Sequence, residues 1–265
     1  MTGLIERVLK LPILQRTAQT AAHWVDLQWT LIVDDLKSVA PRAHGDLLDV
    51  GCGEKPYESF FTPYVTSYVG VEHEATFALT HAAKRSGGPD VYYDGTRLPF
   101  DDASFDTVLN VQVLEHTPEP QQLVNEMARV LRPGGLLIVN VPFSFRLHEE
   151  PHDYFRYSPH GLRHMTERAG LDVIEIVPQG SLWSLLGHKL NSYLAFHVAR
   201  MGGVTQALGK SAQEATSSAK PRMWTVPAVL PLMASVSAGA RVLDRTLPDA
   251  TEALSFRMLA TRRRE

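Results

Sequence analysis

Residues 47–57 read LLDVGCGEKPY, and this stretch decides the fold. A short apolar run, broken only by Asp49, ends directly on Gly51 and Gly53. Such a run is the pattern of a strand buried on both faces of a parallel sheet. Glycine at its end lets the backbone turn tightly and come close to a ligand, because no Cβ stands in the way. A second run, SYVGVE at 67–72, ends on Glu72, about 20 residues later. A carboxylate at that spacing is placed to hold ribose hydroxyls.

Working outward, five more strand patterns follow. They are VYYDG (91–95), FDTVLNVQV (105–113), LLIVNV (136–141), LDVIEIV (171–177) and LSFRMLAT (254–261). Between them lie helix signals. Pro118 and Pro120 open a helix over Gln121–Leu131, whose stripe is Leu123, Met127, Val130 and Leu131. Pro133-Gly134-Gly135 stops it. Ser158-Pro159 opens another, with Ser as cap and Pro in the first turn, and Gly170 ends it. Strands alternating with helices predict an α/β fold, a mostly parallel seven-stranded sheet with helices on both faces.

The chain divides accordingly. Residues 1–40 predict an N-terminal helical cap, 41–178 the core, 179–250 a helical insertion before the last strand, and 251–265 that strand with a basic tail. Within the insertion, Trp183, Leu186, Leu190, Tyr193 and Leu194 predict an apolar helix face, which is buried against the domain or else caps the acceptor pocket or touches a membrane. GKSAQEATSSAK (209–220) reads as a polar loop. Met223–Ala240 carries no charge, yet it is short and contains two prolines, so it reads as a pocket cap or membrane contact rather than a span. Arg262-Arg263-Arg264 reads as a solvated tail.

Composition sets the outer limits. The chain has 265 residues, 44% of them hydrophobic and 21% charged, enough for a sizeable core. A net charge of −3 excludes a global basic field for nucleic acid. The single cysteine, Cys52, excludes an internal disulfide and fits a reducing, cytoplasmic setting. Charges at Glu6, Arg7, Lys10 and Arg16 interrupt the N-terminal apolar residues, so no secretory signal is expected.

DVGCG, VGVE, DGTRLPFDDASFDTVLNVQVLEH and ARVLRPGGLLIVNVP occur in this order and spacing. Together they resemble the class I S-adenosylmethionine (SAM)-dependent methyltransferases, in particular the ubiquinone-type, methyltransferase type 11-like group. The resemblance covers residues 45–178 and the end strand. It implies a Rossmann-like sheet and SAM as cofactor. Asp49, Gly51, Cys52 and Gly53 would line the methionine part and Glu72 the ribose, with His73 beside the adenine. Asp94 would accept from the adenine amino group, the Gly95 amide would face the ring, and Asn110 and Gln112 would flank the methionine. Lys55 and Pro56 stand where this family often has a third glycine. SAM has no pyrophosphate to cradle, and the same departure argues against NAD.

Chemistry in such sheets sits beyond the carboxyl ends of the strands. There the chain places Glu115-His116 and the stretch FSFRLHEEPHDYFRYSPHGL (143–162). Methyl transfer needs positioning, and a base where the acceptor must lose a proton. His116, His152, Asp153 and Tyr154 are the catalytic candidates. His116 could equally pack on the sheet. His148, Glu149, Glu150, His152 and Asp153 are metal-ligand types, but a charged surface loop is the commoner origin of such a run, and no metal is expected. The segment PHDYFRYSPHGL is similar to an HDYxRYT-type segment of bacterial members of the group. In it Arg156 would pair with Asp153 or a substrate anion, and Tyr154 and Tyr157 would wall a pocket or brace the next helix. The expected activity is methyl transfer to a small-molecule, lipid or glycan-precursor acceptor. The alternatives are a nucleic-acid methyltransferase, for which neither the base-amino motif nor a basic stripe is present, and a non-catalytic SAM-binding protein.

Overall fold

A computed structural model describes residues 24–75, 88–200, 222–249 and 251–264. The helix expected over most of 1–23 and the loop expected at 209–220 lie outside these residues.

The seven expected strands form one sheet. They are β1 (Asp46–Val50), β2 (Ser67–His73), β3 (Val91–Tyr93), β4 (Phe105–Val111), β5 (Leu131–Pro142), β6 (Leu171–Gln179) and β7 (Ser255–Arg262). Their order is β3-β2-β1-β4-β5-β7-β6. All pairings are parallel except those of β7, which runs antiparallel between β5 and β6. Among the described residues the α-helices are α1 (Leu27–Val39), α2 (Glu58–Phe61), α3 (Pro120–Val130), α4 (Pro159–Arg168), α5 (Leu182–Tyr193) and α6 (Val226–Thr246).

Because both faces of the sheet are covered, its central strands are apolar on both sides. On one face Leu48, Val108, Leu137 and Val139 pack with Leu123 and Met127 of α3 and Leu162 of α4. On the other, Leu47, Leu109 and Ile138 meet Ile32 and Leu36 of α1 and Phe61 of α2. The caps follow the expected chemistry. Ser158 accepts from the Gly161 amide at the start of α4, and Asp26 accepts from the Trp29 amide at the start of α1.

The apolar face expected on α5 is corrected. Leu186, Leu190 and Tyr193 are exposed, and Trp183 spends its indole N–H on the Leu247 carbonyl at 2.8 Å. Of the five residues, Leu194 alone is buried. The helix instead packs through its small and polar side. A Cβ at Gly187 would lie 3.0 Å from the Ala240 Cβ, so this glycine sets how closely α5 and α6 approach. The Asn191 amide donates to the Val25 and Met233 carbonyls and to Ser237 Oγ, while Ser181 and Ser184 donate to Asp244. These polar contacts tie α5 and α6 to the start of α1.

The solvated arginine tail is corrected at Arg262, while Arg263 and Arg264 are exposed. Arg262 is the last residue of β7, and its guanidinium donates to the Arg129 and Leu131 carbonyls. Arg263 pairs with Asp172 at 2.7 Å. An antiparallel strand wedged between two others carries its end residues into the sheet.

Arg257 of β7 is 7% exposed and pairs with Asp35 of α1 and Glu175 of β6, at 2.9 and 2.8 Å. Its removal leaves Asp35 half-desolvated and unpaired, a cost of roughly 2–3 kcal/mol. Arg257→Ala is therefore expected to lower the unfolding free energy by that amount in denaturant titration, with Arg257→Lys recovering part of it. A loss below about 0.5 kcal/mol, the usual range for surface changes, would show that the pairs are idle.

Candidate cofactor and acceptor site

Strands β1 and β4 are neighbours, while β2 lies on the other side of β1. The order of the sheet reverses there, so the carboxyl ends of β1 and β4 border a crevice. The turn after β1 enters it. Gly51 has φ +77°, and a Cβ on it would sit 2.3 Å from Val113 Cγ2. The Gly51 and Cys52 amides donate to the Val71 carbonyl at 2.9 and 3.3 Å, which folds the turn toward β2.

Glu72, at the tip of β2, holds this turn from the side. Its Oε2 accepts from the Gly53 amide at 2.7 Å and its Oε1 from the His73 amide at 2.9 Å. Burial raises its carboxyl, and the two amides oppose the rise. Lys55 takes the left-handed backbone (φ +54°) where a glycine would be natural. Its ammonium pairs with both oxygens of Asp90 at 2.8 and 2.9 Å, and Asp90 also accepts from the Gly70 amide. The ion pair gives the strained turn an anchor on the neighbouring loop.

Asp49 lies beneath the turn, 2% exposed, and accepts from the Tyr68 hydroxyl at 2.5 Å. Burial pushes its carboxyl up to about 7, the Tyr68 hydrogen bond working against the rise and the Glu72 charge with it. Cys52 is buried, and burial holds its thiol neutral. His73, Asp94 and Gly95 gather at the tips of β2 and β3. Gly95 has φ +85°, and a Cβ there would lie 3.0 Å from the His73 ring. The Asp94 carboxylate folds back onto Thr96, accepting from its amide and hydroxyl at 2.9 and 2.6 Å.

Asn110 and Gln112 end β4 differently. The Asn110 amide donates to the Val50 carbonyl at 3.0 Å, and its buried side-chain oxygen has no partner. Gln112, with φ +56°, belongs to a row of carboxamides. Gln28 of α1 donates to Gln112, Gln112 to Asn140 of β5, and Asn140 to Gln179 of β6, at 3.1, 2.6 and 2.7 Å. The two ends of each amide are assigned here by these hydrogen bonds. This engagement fixes the orientation of the Gln112 carboxamide at the tip of β4. A polar residue inside the apolar run LLIVNV was the sequence signal for the row, since buried amides need partners.

The acceptor side is built from the loops after β4 and β5. Glu115 and His116 occupy the single turn Leu114–His116. Glu115 is fully buried, and burial pushes its carboxyl up to about 8 despite Arg156 nearby. His116 Nδ1 lies 2.8 Å from the His152 carbonyl, and its Nε2 lies 3.1 Å from His148 Nε2. Asp153 is bound by Arg156 through two hydrogen bonds of 2.6 and 2.7 Å. Burial would raise the Asp153 carboxyl, but Arg156 and the His148 amide outweigh it and hold it at about 2. Asp153 is thus no proton acceptor near neutrality; it orients its neighbours. Tyr154 is exposed, with its hydroxyl 3.1 Å from His152 Nδ1. Tyr157 does not wall a pocket: it is buried in the core and donates to the Leu114 carbonyl at 2.8 Å, bracing the Glu115 turn. Sequence reasoning missed the burial of Glu115 and the meeting of His116 with His148, because 32 residues separate the two imidazoles and only the loop fold brings them together.

Comparison with known proteins adds a family. A model described as a methyltransferase domain matches residues 48–139. Relatives from Mycobacterium sp. (strain KMS) and Mycobacterium marinum, both named as uncharacterized methyltransferases, are 44% identical over 94 residues and 41% over 106. These alignments cover 36% and 39% of this chain. The chain spans 37% and 40% of the length of those two relatives. Among solved structures, the crystal structure of the [4+2]-cyclase SpnF superposes with a TM-score of 0.52 at 19% identity, covering 88% of this chain and 80% of that one. It shows the same fold. Residues 48–139 of this chain are thus similar to the methyltransferase-domain family.

Proposed function

We propose that the chain transfers the methyl group of SAM to a small-molecule, lipid or glycan-precursor acceptor. The observation that carries the reading is the glycine turn at the reversal point of the sheet, with the Glu72 carboxylate beside it, inside the family-matching segment. The residues present fit the cofactor. The turn at Gly51 is kept bare by its packing on Val113, and the Asn110 oxygen is buried without a partner at the same strand tips, where a ligand donor would meet it.

Bound SAM supplies a methyl group already activated on a sulfonium. The chain's own work is then to bind, orient and, for a protic acceptor, take up a proton. Glu72 offers the ribose two carboxylate oxygens, held in place by two amides. His73 and Gly95 present a ring face and a bare backbone to the adenine. Beneath the turn, Asp49 and Glu72 put two carboxyl groups close to a cationic ligand. On the acceptor side, His152 faces Tyr154 at the exposed rim and is the residue we assign to proton uptake.

The acceptor is best read as apolar or lipid-linked. A groove of about 230 Å³ beside the loop after β5 is lined by Arg146, His188, Tyr193 and Phe196 among others, a cation set among rings. On the helices of the insertion, Leu186, Leu190 and Tyr193 of α5 and Leu230 and Leu232 of α6 are exposed. Among the described residues, α6 alone is long and apolar enough to cross a membrane. A cytoplasmic enzyme resting on the inner membrane face through these helices fits that surface, whereas the net charge of −3 does not favour a nucleic-acid acceptor.

Turnover is the direct test. Incubation with methyl-tritiated SAM and fractionated lysate is expected to label a product and release S-adenosylhomocysteine; binding with no release would leave a SAM-binding protein. That outcome is a real competitor, since one fold hosts many chemistries. For the site itself, Glu72→Ala and Asp49→Ala are each expected to weaken SAM binding at least tenfold, about 1.4 kcal/mol, in calorimetry on folded protein. Unchanged affinity in both would remove the site from this crevice.

The raised Asp49 carboxyl also fixes a pH dependence. Without ligand it keeps its proton up to about pH 7. A sulfonium nearby favours the ionised form, so binding must release that proton. SAM affinity should accordingly rise between pH 6 and 8, by roughly tenfold per pH unit below 7 and levelling above it, for a single linked proton. Asp49→Asn should flatten the curve. A flat curve in the unaltered protein would mean that Asp49 is not coupled to the ligand.

A further inference from the structure

We propose that Glu115, His116 and His148 form a binding site for a divalent transition metal ion at the acceptor end of the crevice. Three ligand atoms, one from each residue, all lie within 4.8 Å of one another. The inference does not rest on the methyl-transfer reading, because it concerns metal uptake by the chain alone.

The His116 tautomer and the spacing carry the argument. His116 Nδ1 faces the His152 carbonyl at 2.8 Å, and a carbonyl can only accept. The ring proton therefore sits on Nδ1, and Nε2 presents a lone pair. His148 Nε2 stands 3.1 Å from that lone pair. His148 Nδ1 is 3.3 Å from the Asp153 carboxylate but makes no hydrogen bond to it, so the place between the two Nε2 atoms belongs to a proton on His148 or to a cation.

Distance and donor type identify it. Two imidazole nitrogens bound at about 2.05 Å to one tetrahedral ion stand about 3.3 Å apart, and about 2.9 Å at a right angle. The observed separation lies between these values. Glu115 supplies the third donor: it is fully buried, neither side-chain oxygen has a hydrogen-bond partner, and Oε1 is 3.8 Å from His116 Nε2. Buried oxygens normally have a partner, and a cation at this position would supply one. Glu149 Oε2, also 3.8 Å from His116 Nε2, stands ready as an outer oxygen donor. Two imidazoles with one carboxylate suit zinc, cobalt or ferrous iron rather than magnesium or calcium, which prefer all-oxygen sites. His116 already has the outer partner that orients a metal ligand, the His152 carbonyl, and the His148 backbone is held by its amide on Asp153. The His116 and His148 side chains are 13% and 12% exposed, so an ion can enter from solvent and keep an open position toward an acceptor.

The test uses the full chain after dialysis against a chelator. Titration with Zn2+ is expected to show one site per chain at micromolar affinity or tighter, and Co2+ to give the visible absorption of a low-symmetry nitrogen-ligated ion. Mg2+ should give neither. His116→Ala and His148→Ala should each weaken Zn2+ binding at least about tenfold, and Asp153→Asn should weaken it through His148. His152→Ala should leave it unchanged, since His152 contributes only its backbone carbonyl. If either alanine variant fails to fold by circular dichroism, Glu115→Gln, nearly equal in volume, takes its place with the same expected loss. Absence of Zn2+ uptake, or uptake untouched by these changes, would overturn the site and show that the two imidazoles share a proton instead. SAM titration of the metal-free chain runs separately, so failure here is distinguishable from failure of the methyl-transfer reading.

Discussion

A single carboxylate shapes the crevice. Glu72 reaches from the tip of β2 to the Gly53 amide after β1 and also accepts from the amide of the next residue. A backbone with positive φ at Gly51, Gly53 and Lys55 has few ways to satisfy its own N–H groups. Glu72 satisfies one of them from outside and thereby sets the distance between two strands at the point where the sheet order reverses. Without that bond the Gly51 and Cys52 amides would still tie the start of the turn to the Val71 carbonyl, but Gly53 would lose its tie to the strand tip. The Lys55–Asp90 pair repeats the device one step further out, linking the same turn to the chain entering β3.

The acceptor side follows a different principle. There the backbone is fixed by side chains buried underneath. Tyr157 bonds the Leu114 carbonyl, and the Glu115 carbonyl accepts from the Tyr154 and Phe155 amides. Arg156 locks Asp153, and Asp153 in turn locks His148. The segment that reads as a run of surface charge is thus a set of pairs with inward-facing members. The exposed members, Tyr154 and His152, are left at the rim where an acceptor would arrive.

Much of this was legible in the sequence, for physical reasons. Strands buried on both faces must be apolar throughout, so LLDV, LLIVNV and their companions announced themselves, and the glycines and acids at their ends marked the crevice. What stayed hidden depends on contacts between distant segments. The α5 surface read as an apolar face for burial, yet Leu186, Leu190 and Tyr193 point outward, because Gly187 and Asn191 offered a closer and better hydrogen-bonded fit to α6. Periodicity reports which side is apolar, not which side a neighbour will choose. Glu115 looked like an ordinary loop acid, and only the closing of the loop after β5 over it removes it from water. Arg262 looked like part of a free tail, because the sequence does not say that its strand runs antiparallel between two others.

The row of carboxamides beneath the crevice has a direction. Every bond runs the same way, from Gln28 through Gln112 and Asn140 to Gln179, and the last NH2 group finds no acceptor. Each member is therefore committed to one orientation by the member before it. An isosteric exchange of amide for acid at Gln28, Gln112 or Asn140 would place two acceptors face to face, and the relief would be to turn over every amide downstream. These positions, spread over one helix, the turn after β4 and two strands, are therefore constrained together, while Gln179 at the end of the row is free to become an acid.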